Sequence, residues 1–273
     1  MSAPIISQIL IGFPLFALLF ASLERWYPLR RQRLLRAGWA VDVCYYVLGC
    51  IVGHFSSVIS LAAMLLIRHK TGWTFGVAAV QPAWLQFLEI LVASDFLGYV
   101  FHRALHSYAW LWRFHQVHHS SEHMDWLANA RLHPVDKLLG DAVQFTPLLL
   151  LGFESGPLFA YTVVLGLQAF LNHANVRFDF GLLHWVIASP RFHHWHHCNN
   201  PRAYNRNFAP HLVIFDILFG TADIPAGSTK PWKYGLPEKV PEGFWRQMIY
   251  PFRRGTPTTT RSRCPERKFQ SDP

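Results

Sequence analysis

Histidines at short, repeated spacings are the residues of this chain best suited to chemistry. Thirteen of the 16 histidines fall between His102 and His197, so they are concentrated in less than half of the chain. Eight of them form three compact boxes: His102 and His106; His115, His118 and His119; and His193, His196 and His197. Imidazole nitrogen binds Zn, Cu, Fe and Ni, so the boxes predict a metal site.

Helical geometry gives these spacings a physical meaning. Residues i and i+4 lie on one face of a helix, and residue i+3 is their neighbour. His102 and His106 are therefore expected to face a single ion. Each H-x-x-H-H box is expected to offer its three imidazoles to one shared point. Eight imidazoles exceed the needs of a tetrahedral zinc, so two ions are the natural count.

Satisfied polar contacts or interfacial anchors are the alternative role for any single histidine. They do not explain three boxes together, because burying many unpaired imidazoles beside a bilayer is costly. His173 directly follows an apolar region and is expected to be a further ligand. The roles of four other histidines stay open between ligand and supporting group: His123, His133, His184 and His194.

The composition indicates a membrane protein with water-facing parts. Apolar residues make up 51% of the chain and charged residues 15%, against roughly 25% in soluble domains. The net charge of +9 is expected to follow the positive-inside rule, since no nucleic-acid motif accompanies it. Four cysteines without a CxxC pair indicate neither a disulfide framework nor a thiolate metal site.

Four apolar regions must position the boxes, and a bilayer crossing needs about 20 apolar residues. They run from about Ile5 to Leu23, Trp39 to Ile67, Trp84 to Phe101 and Leu138 to Leu171. The fourth is broken near 152–157 and suits a re-entrant hairpin or two short crossing helices. The fold prediction is thus an all-α membrane bundle of about four transmembrane helices or hairpins.

Charge predicts the orientation of this bundle. No basic residue precedes Arg25, so the first apolar region is expected to be a retained anchor. Arg25, Arg30, Arg31, Arg33 and Arg36 follow it, which predicts a cytoplasmic first loop. Every histidine box then falls on the cytoplasmic face of a multi-pass protein, in a bacterial inner membrane or the endoplasmic reticulum.

The chain is expected to divide near residue 224. Residues 1–224 would form the membrane-embedded catalytic domain, and 225–273 a polar, basic C-terminal segment. Within that segment, 242–252 sets apolar side chains among polar ones and predicts an interfacial helix. The tail from Arg253 is predicted to be disordered.

The ordered boxes beside apolar spans resemble the sterol desaturase / fatty acid hydroxylase superfamily of membrane histidine-box oxygenases. Further segments that resemble sequences of this superfamily are Arg131-Leu132-His133-Pro134, Asn172-His173-Ala174-Asn175 and 215–221. The resemblance implies an all-helical membrane fold, a cytosol-facing site with two iron ions, and O2-dependent hydroxylation, desaturation or ether cleavage of lipids. It implies that the eight box histidines and His173 are ligands. Some members carry another ligand four residues earlier, where this chain has Ala169.

The chemistry predicts partners and supporting residues. Breaking an unactivated C–H bond requires redox chemistry that the metal must supply. Because no flavin or Rossmann signature appears, a separate electron-donor protein is expected, docked on the basic cytoplasmic face. The lipid substrate should enter from the bilayer. Asp95 lies seven residues before His102 and is a candidate to bond a ligand imidazole, or else to make a polar contact within the bundle.

Two other function classes compete with the oxygenase. A membrane zinc hydrolase would usually need a carboxylate base such as that of H-E-x-x-H, which is absent. A metal transporter or sensor would place polar residues along a path through several spans, whereas these histidines gather at span ends. Iron content and incorporation of labelled oxygen discriminate the three.

Overall fold

The described residues of the computed structural model are 3–72, 76, 78–223 and 231–253. Within these ranges the protein is helical and has no β-strand, which confirms the all-α prediction. The α-helices are α1 Ala3–Ser7, α2 Phe13–Trp26, α3 Trp39–Thr71, α4 Ala83–Ser107, α5 Ala109–His118, α6 Pro134–Leu151, α7 Ser155–His173, α8 Pro190–His196, α9 Ile214–Leu218 and α10 Phe244–Ile249. The predicted disorder of the tail concerns residues outside the described ranges, apart from Arg253.

Among the described residues, three helical stretches are long and apolar enough to cross a membrane. They are Ile5–Trp26, in which a π-helical turn joins α1 to α2, Trp39–Thr71 and Ala83–Ser107. The first three predicted apolar regions are thereby confirmed. α3 lies between Gly38 and Gly72, both of which have a positive φ that side chains disfavour, so the helix ends where these glycines stand.

The fourth apolar region forms a helical hairpin. α6 ends at Gly152, whose φ of +82° closes the helix, and α7 starts at Ser155. The break thus falls where the sequence predicted it. α6 packs against α3 and α4, and α7 packs against α4, so the hairpin completes one bundle with two of the candidate spans.

A buried layer of charges ties the helix ends together beside the histidine boxes. Glu24, at the end of α2, accepts hydrogen bonds from the backbone N–H groups of Trp126 (2.7 Å) and Asn175 (2.9 Å). Asp42, in the first turn of α3, pairs with Arg36 (2.7 Å) and Arg131 (2.5 Å). Charges this deeply buried need such partners, so the layer fixes how the helices meet.

Arg36 does not belong to the exposed basic cluster that the sequence predicted for the first loop. Its guanidinium also binds Asp125 through two nitrogens, at 2.8 and 2.5 Å. Arg36 is therefore a buried structural cation, whereas Arg25, Arg31 and Arg33 of the same predicted cluster are exposed.

The described part of the C-terminal segment packs on the helices. The backbone oxygen of Lys233 accepts a hydrogen bond from the N–H of Asn199 (2.8 Å), and the ring centroids of Phe252 and Phe114 are 5.4 Å apart. In α10, Phe244 contacts Tyr45 while Trp245 is 77% exposed, as an interfacial helix requires. The proposed division at residue 224 stays a prediction.

Candidate metal centre

Four helix ends present the predicted ligands to one region of the protein. α4 carries His102 and His106 in its last two turns, and α5 carries the second box at its C-terminus. His173 is the last residue of α7. The third box occupies α8 and its C-cap, where Ser189 accepts the N–H of Phe192 and Pro190 occupies the first position.

These histidines converge into two groups. The His102 group consists of His102, His106, His115, His119 and His196, and the His118 group consists of His118, His173, His193 and His197. Within each group the candidate ligand nitrogens all lie within 4.8 Å of one another. All nine predicted ligand residues are thus brought together, and each is in one group.

The nitrogen separations match those of ligands on a common ion. In the His102 group, the Nε2 of His119 lies 3.2 Å from that of His115 and 3.1 Å from that of His196. In the His118 group, the Nε2 of His193 lies 3.0 Å from those of both His173 and His197. Two nitrogens at right angles on one ion, each at about 2.1 Å, would be about 3.0 Å apart.

The expectation that each H-x-x-H-H box serves one shared point is wrong. His115 and His119 enter the His102 group while His118 enters the other. The third box is divided in the same way, with His196 apart from its neighbours. The reason is helical: residues i and i+4 differ by about 40° around the axis, whereas i+3 lies about 60° to the other side. Each box therefore joins the two groups.

Outward hydrogen bonds orient five of the rings. The Nδ1 atom of His102 contacts the carbonyl oxygen of Phe208, and that of His118 contacts the carbonyl oxygen of Arg131. In the same way, Nδ1 of His173 contacts the carbonyl oxygen of Ala169, and Nδ1 of His196 contacts that of Arg206. Nδ1 of His115 contacts a carboxylate oxygen of Asp136. A carbonyl oxygen can only accept, so these Nδ1 atoms donate. Their Nε2 atoms then carry the free lone pair that a metal requires.

Burial keeps the imidazoles in the form that binds metal. It lowers the pKa of His118, His119, His193 and His197 well below the usual imidazole value, and the neighbouring histidines lower it further. The rings are therefore neutral at pH 7. In addition, the buried Nε2 of His102 has no hydrogen-bond partner among the described residues, which is costly unless an ion takes its lone pair. The donor set thus fits two ions with nitrogen ligands.

Asp136 is a supporting residue that the sequence did not reveal. Its carboxylate lies 2.8 Å from the Nδ1 of His115, and both side chains are buried. The two residues are 21 positions apart, on α5 and α6. The only signal was an acidic residue in the first turn of a helix close to the second box, and such residues also occur simply because they favour helix N-termini.

Asp95 does not bond a ligand imidazole. Its carboxylate accepts the backbone N–H of His211 (2.9 Å), the Nδ1–H of the same residue (2.9 Å) and the N–H of Leu212 (2.7 Å). The alternative, a polar contact inside the bundle, is confirmed. Helical periodicity placed Asp95 on the face of His102, but it could not show which segment comes to meet it.

The four histidines left open lie outside both groups. His123 is exposed and His184 is half-buried. His133 accepts the N–H of Val135 and caps α6. His194 is the most closely connected: its Nε2 lies 3.2 Å from the carbonyl oxygen of His173, and its Nδ1 lies 2.8 Å from the hydroxyl of Tyr234.

Comparison with known proteins relates the histidine-rich region to a protein family. The family model described as Fatty acid hydroxylase matches residues 87–221, a range that contains all nine histidines of the two groups. The matched range holds 135 of the 273 residues, so just under half of the chain is similar to the fatty acid hydroxylase family. The sequence resemblance to the sterol desaturase / fatty acid hydroxylase superfamily is therefore confirmed.

The chain is also similar to named proteins. Ornithine lipid hydroxylase OlsE of Rhizobium tropici is 37% identical over 178 residues, covering 63% of this chain and 52% of that protein. Alkylglycerol monooxygenase of Danio rerio is 36% identical over 139 residues, covering 50% and 30% respectively. Protein CER1-like 2 of Arabidopsis thaliana is 29% identical over 160 residues, covering 52% and 25%.

The match spans about half of OlsE and smaller fractions of the other two relatives. No solved structure matches this chain significantly.

Proposed function

We propose that the protein is an O2-dependent lipid oxygenase that hydroxylates or desaturates a C–H bond with two iron ions bound by the two histidine groups. The observation that carries this proposal is the convergence of nine buried or half-buried imidazoles into two groups beside apolar helices. The match to the fatty acid hydroxylase family and the names of the lipid hydroxylase and monooxygenase relatives support the same chemistry.

Iron is favoured by the donor set. Imidazole suits several transition metals, but groups of five and four imidazoles exceed the three protein ligands of a typical catalytic zinc site. When bound, the irons would supply the redox chemistry that activates O2, which side chains cannot perform. The histidines would hold them, with His102, His106, His115, His119 and His196 at one ion and His118, His173, His193 and His197 at the other.

The contribution of the protein is to orient these ligands and keep water away. Outward bonds from Nδ1, such as that of His115 to Asp136, hold the Nε2 lone pairs inward. Burial among Trp112, Phe208 and the neighbouring rings keeps the centre dry. A dry site limits the loss of reactive oxygen species to water and directs oxidation to a bound lipid.

A lipid substrate would reach the site from the bilayer. α4 joins the two environments, because its first part is a candidate span and its last turns carry His102 and His106. The names of two relatives state lipid substrates, an ornithine lipid and an alkylglycerol, which supports a lipid with a polar head.

A separate protein would deliver electrons. Inserting one oxygen atom of O2 into a C–H bond releases the other as water and consumes two electrons and two protons. Exposed Arg25 lies in the last turn of α2, and exposed Arg31 and Arg33 lie between α2 and α3. By the positive-inside rule we place this part of the chain in the cytoplasm, where these charges would attract an acidic donor.

Oxygen labelling tests the proposed function. Cells that produce the wild-type protein or its His173→Ala variant are grown under ¹⁸O2, and their lipids are compared by mass spectrometry. We expect a labelled hydroxyl lipid, or a newly unsaturated one, only with wild type. His184→Ala, which removes a histidine outside both groups, should behave as wild type. The proposal would be contradicted if the purified protein contained zinc as its only metal and if cells producing it formed no labelled hydroxyl lipid and no newly unsaturated lipid.

A further inference from the structure

The backbone N–H groups of the segment Phe208–Leu212, which we call the strap, all donate to two carboxylates. The N–H groups of Phe208 (2.9 Å) and Ala209 (2.7 Å) donate to Asp216. Those of His211 (2.9 Å) and Leu212 (2.7 Å) donate to Asp95. The remaining residue of the strap is a proline and has no N–H, so every backbone donor of the strap ends on Asp95 or Asp216.

The strap in turn orients a predicted ligand. The carbonyl oxygen of Phe208 lies 2.8 Å from the Nδ1 of His102. The ring of Phe208 packs against His102, His106 and His196, with centroids 5.5, 5.2 and 5.8 Å apart. Two residues earlier in the chain, the carbonyl oxygen of Arg206 lies 2.8 Å from the Nδ1 of His196. All of these contacts belong to the His102 group.

Gly98 sets how close the strap lies to α4. A Cβ atom at this position would approach Pro210 Cγ to 3.0 Å, so a larger residue would push the strap away. Asp95 and His102 lie on either side of Gly98 in α4. The same helix therefore accepts hydrogen bonds from strap N–H groups at Asp95 and donates one to the carbonyl oxygen of Phe208 from His102.

We propose that Asp95 and Asp216 are positioning residues, which act through the strap to hold His102 and His196 with their Nε2 atoms toward the ion of the His102 group. The inference rests on the proposed function, because it needs a metal in that group. It extends that function by assigning a role to two buried carboxylates that contact no candidate ligand nitrogen of the two groups.

Asp95 and Asp216 each face three hydrogen-bond donors, and a carboxylate offers two oxygens that both accept. Asp95 accepts three hydrogen bonds, and Asp216 accepts from Phe208, Ala209 and the hydroxyl of Thr221 (2.6 Å). An asparagine keeps the shape but replaces one acceptor oxygen by an NH2 group, which would face N–H donors. Asp→Asn changes should therefore loosen the strap with little change in packing volume.

The test measures metal content and affinity in purified full-length protein in detergent. Asp95→Asn and Asp216→Asn should each weaken binding of one ion about 10–100-fold, the usual effect of removing a group that orients a ligand, and leave the second ion unchanged. Iron per chain is measured by mass spectrometry after dialysis, and Co²⁺ titrations follow both sites spectroscopically. Thermal unfolding of the metal-free proteins reports any general loss of structure.

One control variant is expected to lose the same ion, and a second is expected to lose neither. Asp136→Asn removes the direct partner of His115 in the same group and should give the same selective loss. Asp179→Asn removes an exposed partner of Arg191 and should change nothing. Selective loss of one ion supports the proposal. Unchanged affinity for both ions, or equal weakening of both in proportion to a lower unfolding temperature, would overturn it. If wild type binds no metal at all, the proposed function fails first.

Discussion

His119 and His197 stack with their ring centroids 4.3 Å apart and their planes at 26°, although they belong to different histidine groups. Each is the last residue of an H-x-x-H-H box, and each shares its group with the first residue of its own box. The two groups therefore share a wall of imidazole rings. Because of this arrangement, the boxes are a poor guide to which histidines hold the same ion.

Pairs of substitutions test this division. His119→Ala combined with His196→Ala removes two ligands of one group, so the protein should retain about one iron per chain. His119→Ala combined with His197→Ala removes a ligand from each group and should leave almost none. Iron per chain in the purified variants distinguishes the outcomes, and His184→Ala serves as the matched control. Equal iron content in the two double variants would contradict the division.

The buried charge layer should dominate the stability of the protein. Asp42→Asn removes a carboxylate that pairs with both Arg36 and Arg131, and the cost should be roughly 3–5 kcal/mol, because two buried cations lose a partner. Arg131 also provides the carbonyl oxygen for His118, so this variant should lose metal from the His118 group more readily.

Denaturant unfolding in detergent measures the effect of Asp42→Asn. The matched control is Asp141→Asn, which breaks a more exposed pair with Lys137 and should cost under about 1 kcal/mol. Similar costs for the two variants would show that the buried layer is not decisive for stability.

Glycine substitutions should report the close approach of the strap to α4. Gly98→Ala forces a contact with Pro210, so we expect it to destabilise the protein by about 1–3 kcal/mol. Gly166→Ala, in α7, meets no atom within 4 Å and should be neutral or stabilising by up to about 1 kcal/mol. The difference in unfolding temperature checks this prediction, and a Gly98→Ala variant as stable as Gly166→Ala would contradict the observed packing.

Metal removal should loosen the fold, because the ligands come from four separate helices. A chelator should therefore lower the unfolding temperature of the wild-type protein, since an ion that binds only the folded state stabilises it. In the variant that combines His119→Ala and His197→Ala, the chelator should have almost no effect. The same temperature shift in both proteins would indicate that the chelator acts elsewhere.

Local patterns of the sequence predicted much of the fold and of the candidate site. Hydrophobic length identified the three candidate spans, and Gly152 marked the break in the hairpin. Histidine spacing identified eight of the nine histidines that converge, and the position of His173 directly after an apolar region indicated the ninth. These features depend on residues close together in the chain, where helical geometry determines which side chains are neighbours.

Features that depend on distant packing escaped prediction. The contact between His115 and Asp136 needs α5 to meet α6, and the contact between Asp95 and His211 joins residues 116 positions apart. The buried role of Arg36 depends likewise on Asp125, 89 positions away. Periodicity identifies the face of a helix but not the segment that covers it.

We propose that nine histidines hold two iron ions through nitrogen. X-ray absorption spectroscopy of the purified, iron-loaded protein tests it most directly when combined with the iron content of the same sample. We predict about two irons per chain, each surrounded mainly by nitrogen at about 2.1 Å, and no sulfur ligand. A single ion per chain, or a ligand shell dominated by oxygen or sulfur, would contradict the account.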